Sequence, residues 1–122
     1  MHSSNSNSYK RGMWAEEIAA KWLISHGYEI LRQRWRSGYG EIDIIASKSG
    51  ACAFVEVKCR ENFSSAVYSV SDKQKQRLIN AAEMFVANRA SITQQDLHEF
   101  RFDVITVNHS GDIVHLQNCI TT

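Results

Sequence analysis

The sequence predicts a single α/β domain in which helices flank a central mixed β-sheet. Its 122 residues, 43% of them hydrophobic, are enough to bury one core. Two segments with helical periodicity and five β-rich segments follow the order α-β-β-β-α-β-β, which is typical of helices packed on a mixed sheet. We expect residues 1–10, rich in Ser and Asn, to be a disordered leader and residues 11–122 to form the domain.

The first predicted helix spans residues 13–26. Ile18 and Trp22, together with several small alanines, recur there at helical spacing, and Gly27 follows as a natural C-terminal stop. A strand is predicted next, over residues 28–35, because aromatic and aliphatic residues alternate with arginines before a turn-forming run of Ser, Gly and Tyr.

A β-hairpin is predicted after this turn. Residues 41–46 and 53–58 are rich in β-branched and aromatic side chains, and Ser49-Gly50 between them is a credible tight turn. Ser71 and Gln74 then form a capping box for a second amphipathic helix that ends near Arg89. A polar connection follows over 90–99, and two further strands are predicted at 100–107 and 113–116.

The overall composition excludes several classes of protein. A net charge of +1 excludes a strongly basic nucleic-acid binder, so any basic surface must be local. No apolar run approaches the roughly 20 residues that cross a bilayer, which predicts no membrane association. The three cysteines lack metal-type spacing and no signal-peptide core is present, which favours the cytoplasm. The modest charge and the short chain also favour a protein that needs a homodimer or another partner to hold a large substrate.

The hairpin brings charged residues together if its strands pair symmetrically about the turn. Asp43 then lies opposite Glu56, and Glu41 opposite Lys58, with Cβ atoms about 5 Å apart on one face. Opposed carboxylates on a covered sheet need a neutralising cation, and Mg²⁺ or Mn²⁺ would satisfy them while keeping waters for a phosphate substrate. Lys58 would orient the attacking water or stabilise charge on the phosphate.

A second interpretation of the same residues needs no active site. Glu41 and Lys58 would form a cross-strand ion pair on a solvated face, with Asp43 and Glu56 simply exposed, since apolar and charged positions alternate in ordinary half-buried strands. The apolar flanks of both segments favour central strands, which have little solvated face to spare.

Several motifs together resemble a known family. The segments that carry the resemblance are 15–20 with Trp22-Leu23, Gly27-Tyr28, Gly40-Glu41-Ile42-Asp43-Ile44-Ile45-Ala46, Phe54-Val55-Glu56-Val57-Lys58-Cys59-Arg60 and Arg101-Phe102-Asp103-Val104-Ile105. In this order, over residues 11–116, they resemble the YraN-type bacterial proteins, a family placed in the PD-(D/E)xK nuclease superfamily near the archaeal Holliday-junction resolvases. The resemblance implies a restriction-endonuclease-like fold.

The same resemblance implies roles for individual residues. Asp43 and Glu56 would be metal ligands, Lys58 the catalytic lysine, and Glu16 the helix-borne acid that completes the site. Two departures from the family pattern are Ala15, where many relatives have Gly, and Gln74, where many have Lys. Neither removes a proposed ligand.

Basic residues outside this set suggest a surface for nucleic acid, with DNA the expected partner. Arg32, Arg34 and Arg36 alternate along the first strand and would share a face that tracks phosphates, or would guard a solvated edge. Lys73 and Lys75, followed by Arg77, open the second helix near its positive end, which favours a phosphate partner.

Asp103 lies in an alternating apolar strand and matches a family position. A buried carboxylate held by backbone or Arg contacts explains it at least as well as catalysis, so it is left out of the catalytic set. The sequence therefore supports two hypotheses. The first is a Mg²⁺- or Mn²⁺-dependent endonuclease, with branched or otherwise irregular DNA as a candidate substrate; the second is a catalytically inactive nucleic-acid-binding module or subunit of a repair complex.

Overall fold

A computed structural model describes residues 3–38, 40–61 and 70–120 of the chain. A five-stranded sheet in the order β1-β2-β3-β4-β5 is antiparallel except where β3 and β4 run parallel. This confirms the predicted mixed sheet and its element order. The elements are α1 (Ser3–Ser25), β1 (Glu29–Ser37), β2 (Gly40–Lys48), β3 (Ala51–Cys59), α2 (Asp72–Ala87), α3 (Arg89–Ile92), β4 (Glu99–Val107) and β5 (Ile113–Leu116).

Helix α1 begins at Ser3, ahead of the predicted start at Met13. Residues 3–10, which were expected to belong to a disordered leader, are therefore helical. Tyr9 accepts a hydrogen bond of 3.4 Å from Arg34, whose guanidinium also lies 5.5 Å from the centre of the tyrosine ring. The amino-acid composition could not predict that these residues are helical, because Arg34, which contacts Tyr9, is remote in sequence.

The hairpin turn between β2 and β3 forms as predicted. Ser49 and Gly50 both have positive φ angles, 52° and 82°, which two-residue turns with the twist of a hairpin require. The symmetric register is observed from Lys48–Ala51 at the turn as far as the pair Ile44–Val55. Beyond that pair the two strands are no longer in register with each other.

Two apolar layers form the core, one on each face of the sheet. Helix α2 covers the first layer and α1 covers the second, and the burial of each large apolar side chain contributes roughly 1.5–3 kcal/mol. The α2 layer includes Ile45, Phe54, Leu78, Phe85 and Val104. The α1 layer includes Ala19, Leu23, Val55, Ile105 and Val107.

None of the described helices is long and apolar enough to span a membrane.

Strand β2 changes face at Asp43. Ile42 and Ile45 both belong to the α2 layer, whereas Ile44 belongs to the α1 layer. Strict alternation would place Ile42 with Ile44, so the strand is twisted between them. The neighbouring strand is irregular at the facing position, where Arg34 has φ 52°. A positive φ on a non-glycine residue is uncommon and costs energy, and such residues cluster at functional sites.

Candidate active site

Asp43 and Glu56 lie just beyond the last paired residues of β2 and β3, at the point where the pairing of these strands ends. This point is called the fork below. The ladder between β2 and β3 ends at Ile44–Val55, one position before them. There the backbone amide of Val57 donates a 2.8 Å hydrogen bond to Oδ2 of Asp43, so a side chain takes a bond that a neighbouring strand would otherwise provide. The Asp43 side chain therefore lies between the two strands where their pairing ends, instead of on a flat, solvated face.

Burial governs the protonation of this pair. Burial and repulsion from Glu56 raise the pKa of Asp43 to about 8, against the opposing effect of the Val57 amide. Burial also raises the pKa of Glu56, although Lys58 opposes it. Because the two groups interact, their protons belong to the pair. Without a cation, the pair keeps a proton near neutral pH.

Lys58 forms an ion pair with Glu56. Its Nζ lies 3.5 Å from Oε1 of Glu56, and the two side chains are only 11% and 19% exposed. The predicted opposition of Glu41 and Lys58 is wrong, since Glu41 is paired with Arg36 of β1 at 3.6 Å. The strands separate before reaching these residues, which is why the extrapolated register fails. The interpretation in which Asp43 and Glu56 are exposed on a solvated face is also wrong, because Glu56 is mostly buried.

Glu16 approaches the site from α1. Its charge contributes to the raised pKa of both Asp43 and Glu56, which places it in their electrostatic neighbourhood. Its carboxylate also accepts a hydrogen bond from Nε of Arg34 at 3.0 Å. Among the residues that the structure describes, no three His, Cys, Asp or Glu side chains are grouped to hold a metal ion. The structure thus brings Glu16 near the pair but commits it to Arg34.

A cleft of about 240 Å³ opens over Asp43 and Glu56 on the α2 side. Gln74, whose side chain completes the capping box with Ser71, lines it. Arg77 lines it one helical turn further on. Of the three basic residues that the sequence indicated at the start of this helix, Arg77 lines the cleft, whereas Lys73 and Lys75 do not.

The three arginines of β1 do not form one stripe. Arg32 donates to the carbonyl of Ile92, on the α2 and α3 side, whereas Arg34 turns to Glu16 on α1. Arg36 is 79% exposed beside Glu41. The prediction that they share a face is wrong because the positive φ at Arg34 interrupts the alternation.

Asp103 has a structural environment, as expected. It is fully buried, and it accepts hydrogen bonds from Arg101 at 3.0 Å and from the amide of Asn118 at 2.9 Å. His115 lies 2.7 Å from its other oxygen. Burial alone would raise the pKa of Asp103, but these hydrogen bonds outweigh it and lower the pKa. The role of His115 was missed because only the β4–β5 pairing brings it to Asp103.

The model of the uncharacterised protein family UPF0102 matches residues 15–107, which include Glu16, Asp43, Glu56 and Lys58. The chain belongs to this family. A UPF0102 protein of Nitrobacter winogradskyi is 43% identical over 100 residues, 82% of this chain and 82% of that protein. One of Roseobacter denitrificans is 39% identical over 114 residues, 93% of this chain and 86% of that protein. The resemblance to the YraN-type family is therefore confirmed.

One solved structure also shows a likeness. It is described as the structure of Pyrococcus furiosus SfsA in complex with Ca²⁺, with 16% sequence identity and a TM-score of 0.39. The match covers 90% of this chain, which spans 63% of the SfsA chain. A likeness this distant supports no conclusion about activity.

Proposed function

We propose that this protein is a metal-dependent endonuclease of the PD-(D/E)xK superfamily, acting in the cytoplasm on phosphodiester bonds of nucleic acid, with branched or irregular DNA as its substrate. One observation supports this most: two buried carboxyl groups, Asp43 and Glu56, share a forked sheet with the ammonium of Lys58. Perturbed acids beside a cation in a cleft are typical of catalytic sites.

The pair suits a hard divalent cation. Asp43 and Glu56 offer only oxygen donors, and burial makes their joint ionisation unfavourable until a positive charge neutralises them. Mg²⁺ and Mn²⁺ favour carboxylate oxygens, and Mg²⁺ in particular keeps several of its waters. When bound, such an ion would supply charge neutralisation and a more acidic water.

The remaining side chains have separate tasks. The Lys58 ammonium, fixed by Glu56, would stabilise negative charge on the phosphate as it develops. Arg77, on the cleft wall, would hold a phosphate oxygen of the same strand. Glu16 would add a third negative charge, balanced by Arg34 while no cation is bound.

A second candidate is a nucleic-acid-binding module without catalysis, alone, as a homodimer or in a repair complex. The ion pair of Glu16 with Arg34 favours it, since no three-ligand metal group exists among the described residues. Such a module would bind DNA in the presence of Ca²⁺ and leave it uncut.

A cleavage screen separates the two functions. Linear, single-stranded, flapped and four-way DNA would be incubated with the protein in Mg²⁺, Mn²⁺ or Ca²⁺. We expect cleavage in Mg²⁺ or Mn²⁺ that Asp43→Asn abolishes and that Asp96→Asn, at an exposed carboxylate outside the site, leaves intact. Binding of every substrate without cleavage would contradict the enzyme and support the module.

A further inference from the structure

A second cleft, of about 390 Å³, opens at the C-terminal end of β3. Helix α1 forms one wall and the end of β3 the other. The lining does not include Asp43 or Glu56, so this cleft is distinct from the one over the carboxyl pair. It is lined by Ser8, Arg11, Gly12, Val57, Lys58, Cys59, Arg60 and His109.

The cleft is cationic. Arg11, Lys58 and Arg60 carry positive charge at neutral pH, and no carboxylate lines the walls formed by the described residues. Two carboxylates are nearby: Glu56 bonds to Lys58 at 3.5 Å, and Glu61 to His109 at 2.5 Å.

The two arginines form no ion pair within the part of the chain that the structure describes. In residues 3–38, 40–61 and 70–120, neither Arg11 nor Arg60 is in an ion pair with Asp or Glu, and the other positions contain no Asp or Glu. Uncompensated positive charge in a concave surface concentrates anions. An anionic ligand would therefore gain more here than at a single surface lysine.

The backbone on the β3 side is well fixed. The amide of Arg60 donates to the carbonyl of Val107 at 3.0 Å, and its guanidinium donates to the carbonyl of Cys59 at 2.9 Å. On the α1 side, Gly12 leaves space, since a Cβ atom added there would meet nothing within 4 Å. The walls are thus held by a strand and a helix, with room between them.

Lys58 connects this cleft to the carboxyl pair. It lines the cationic cleft while its ammonium contacts Glu56. We propose that the cleft between Arg11 and Arg60 binds a backbone phosphate of the nucleic-acid strand, adjacent to the phosphate presented to Asp43 and Glu56. This inference rests on the proposed function and deepens it by assigning a path for the strand. Neither arginine belongs to the residues that sequence analysis proposed for nucleic-acid binding.

Three variants of the full chain test the proposal. Arg11→Gln with Arg60→Gln removes the charge, Arg11→Lys with Arg60→Lys keeps it, and Gly12→Met fills the space without changing charge. Lys21→Gln with Arg89→Gln removes two exposed charges elsewhere as a matched control. Anisotropy of a labelled four-way junction and of a labelled single strand, in Ca²⁺ over a range of salt, gives affinity and salt dependence. Circular dichroism verifies that each variant is folded.

We expect the double Gln variant to bind about tenfold more weakly. The slope of log affinity against log salt concentration should become shallower by about 1–2, as the loss of one or two phosphate contacts predicts. The Lys variant should retain most affinity, Gly12→Met should lose affinity at an unchanged charge, and the control should match the parent protein. Equal affinity of the parent and the double Gln variant, or an equal loss in the control, would overturn the proposal. Binding without cleavage would contradict the endonuclease but leave this cleft intact, so the two failures are distinguishable.

Discussion

The amide of Val57 donates a 2.8 Å hydrogen bond to the carboxylate of Asp43 at the point where β2 and β3 stop pairing. This bond fixes the side chain of Asp43 within the fork. It also offsets part of the cost of burying the carboxyl group, because a hydrogen bond from a backbone amide favours the ionised form. The geometry of the site depends on this local departure from a regular ladder.

Asp43 should make the metal-free protein less stable as pH rises. Its folded pKa, about 8, exceeds its ordinary value of 3.8, so the folded state binds the proton more tightly. Stability is therefore lost between about pH 4 and 8, and Asp43→Asn should remove that loss, raising stability at pH 8 by on the order of 1–3 kcal/mol. Urea unfolding in EDTA at pH 5 and pH 8 measures it. Asp96→Asn is the control, and a parent protein equally stable at both values would refute the prediction.

Mn²⁺ should bind to the parent protein and stabilise it. At a hundredfold excess over Kd, binding to the folded state alone adds about 2.7 kcal/mol. Isothermal titration and thermal unfolding should both lose the Mn²⁺ effect in Asp43→Asn with Glu56→Gln. Glu41→Gln, which changes a carboxylate paired with Arg36 on the rim of the same cleft, should retain it. Retention of Mn²⁺ binding by the double variant would mean that the ion sits elsewhere.

Arg34 should act mainly on stability. Its loss in Arg34→Gln leaves the carboxylate of Glu16, 15% exposed, without its partner, and should cost about 1–3 kcal/mol. Arg36→Gln, at a side chain 79% exposed, should cost under about 0.5 kcal/mol. Urea unfolding of Arg34→Gln, Arg36→Gln, Glu16→Gln and the double variant Glu16→Gln with Arg34→Gln measures these costs and the coupling between Glu16 and Arg34. Additive effects of the two changes would show that the ion pair contributes nothing.

Asp103→Asn should lower the stability of the fold and leave the cleavage rate of the folded protein unchanged. The carboxylate is fully buried among Arg101, His115 and the amide of Asn118, and breaking such a network costs about 3–5 kcal/mol. Since its pKa is lowered in the fold, its contribution exists above about pH 4 and is lost as pH falls further. Unfolding at pH 7 and pH 3 checks this. A reduced cleavage rate in the fully folded variant would contradict a purely structural role.

Local patterns predicted most of the fold. The capping box at Ser71 and Gln74 forms, and the turn at Ser49 and Gly50 sets the register of the adjacent strands. These features depend on residues close in sequence, whose chemistry is sufficient to specify them. The short helix α3 was missed because its four residues show no period.

The sequence indicated which residues would form the candidate site, but it predicted only part of the geometry in which the fold brings them together. The β2–β3 register would have aligned Glu41 with Lys58, but the twist at Asp43 and the positive φ of Arg34 redirect the neighbouring side chains. Such irregularities depend on packing against both helices, which no local pattern encodes. The same reason explains why Arg34 was assigned to a phosphate stripe when its partner is Glu16.

Single-turnover cleavage by Lys58→Met is the sharpest test of catalysis at the carboxyl pair. The Lys58 ammonium lies 3.5 Å from Glu56, beside the carboxyl pair, so its main effect belongs to the transition state. A labelled four-way junction and a flapped duplex would be cut in Mn²⁺, and binding measured in Ca²⁺, with Lys21→Met as the control. We predict nearly unchanged binding and a cleavage rate lower by about a hundredfold or more. Cleavage at the parent rate by Lys58→Met would contradict the assignment of this site.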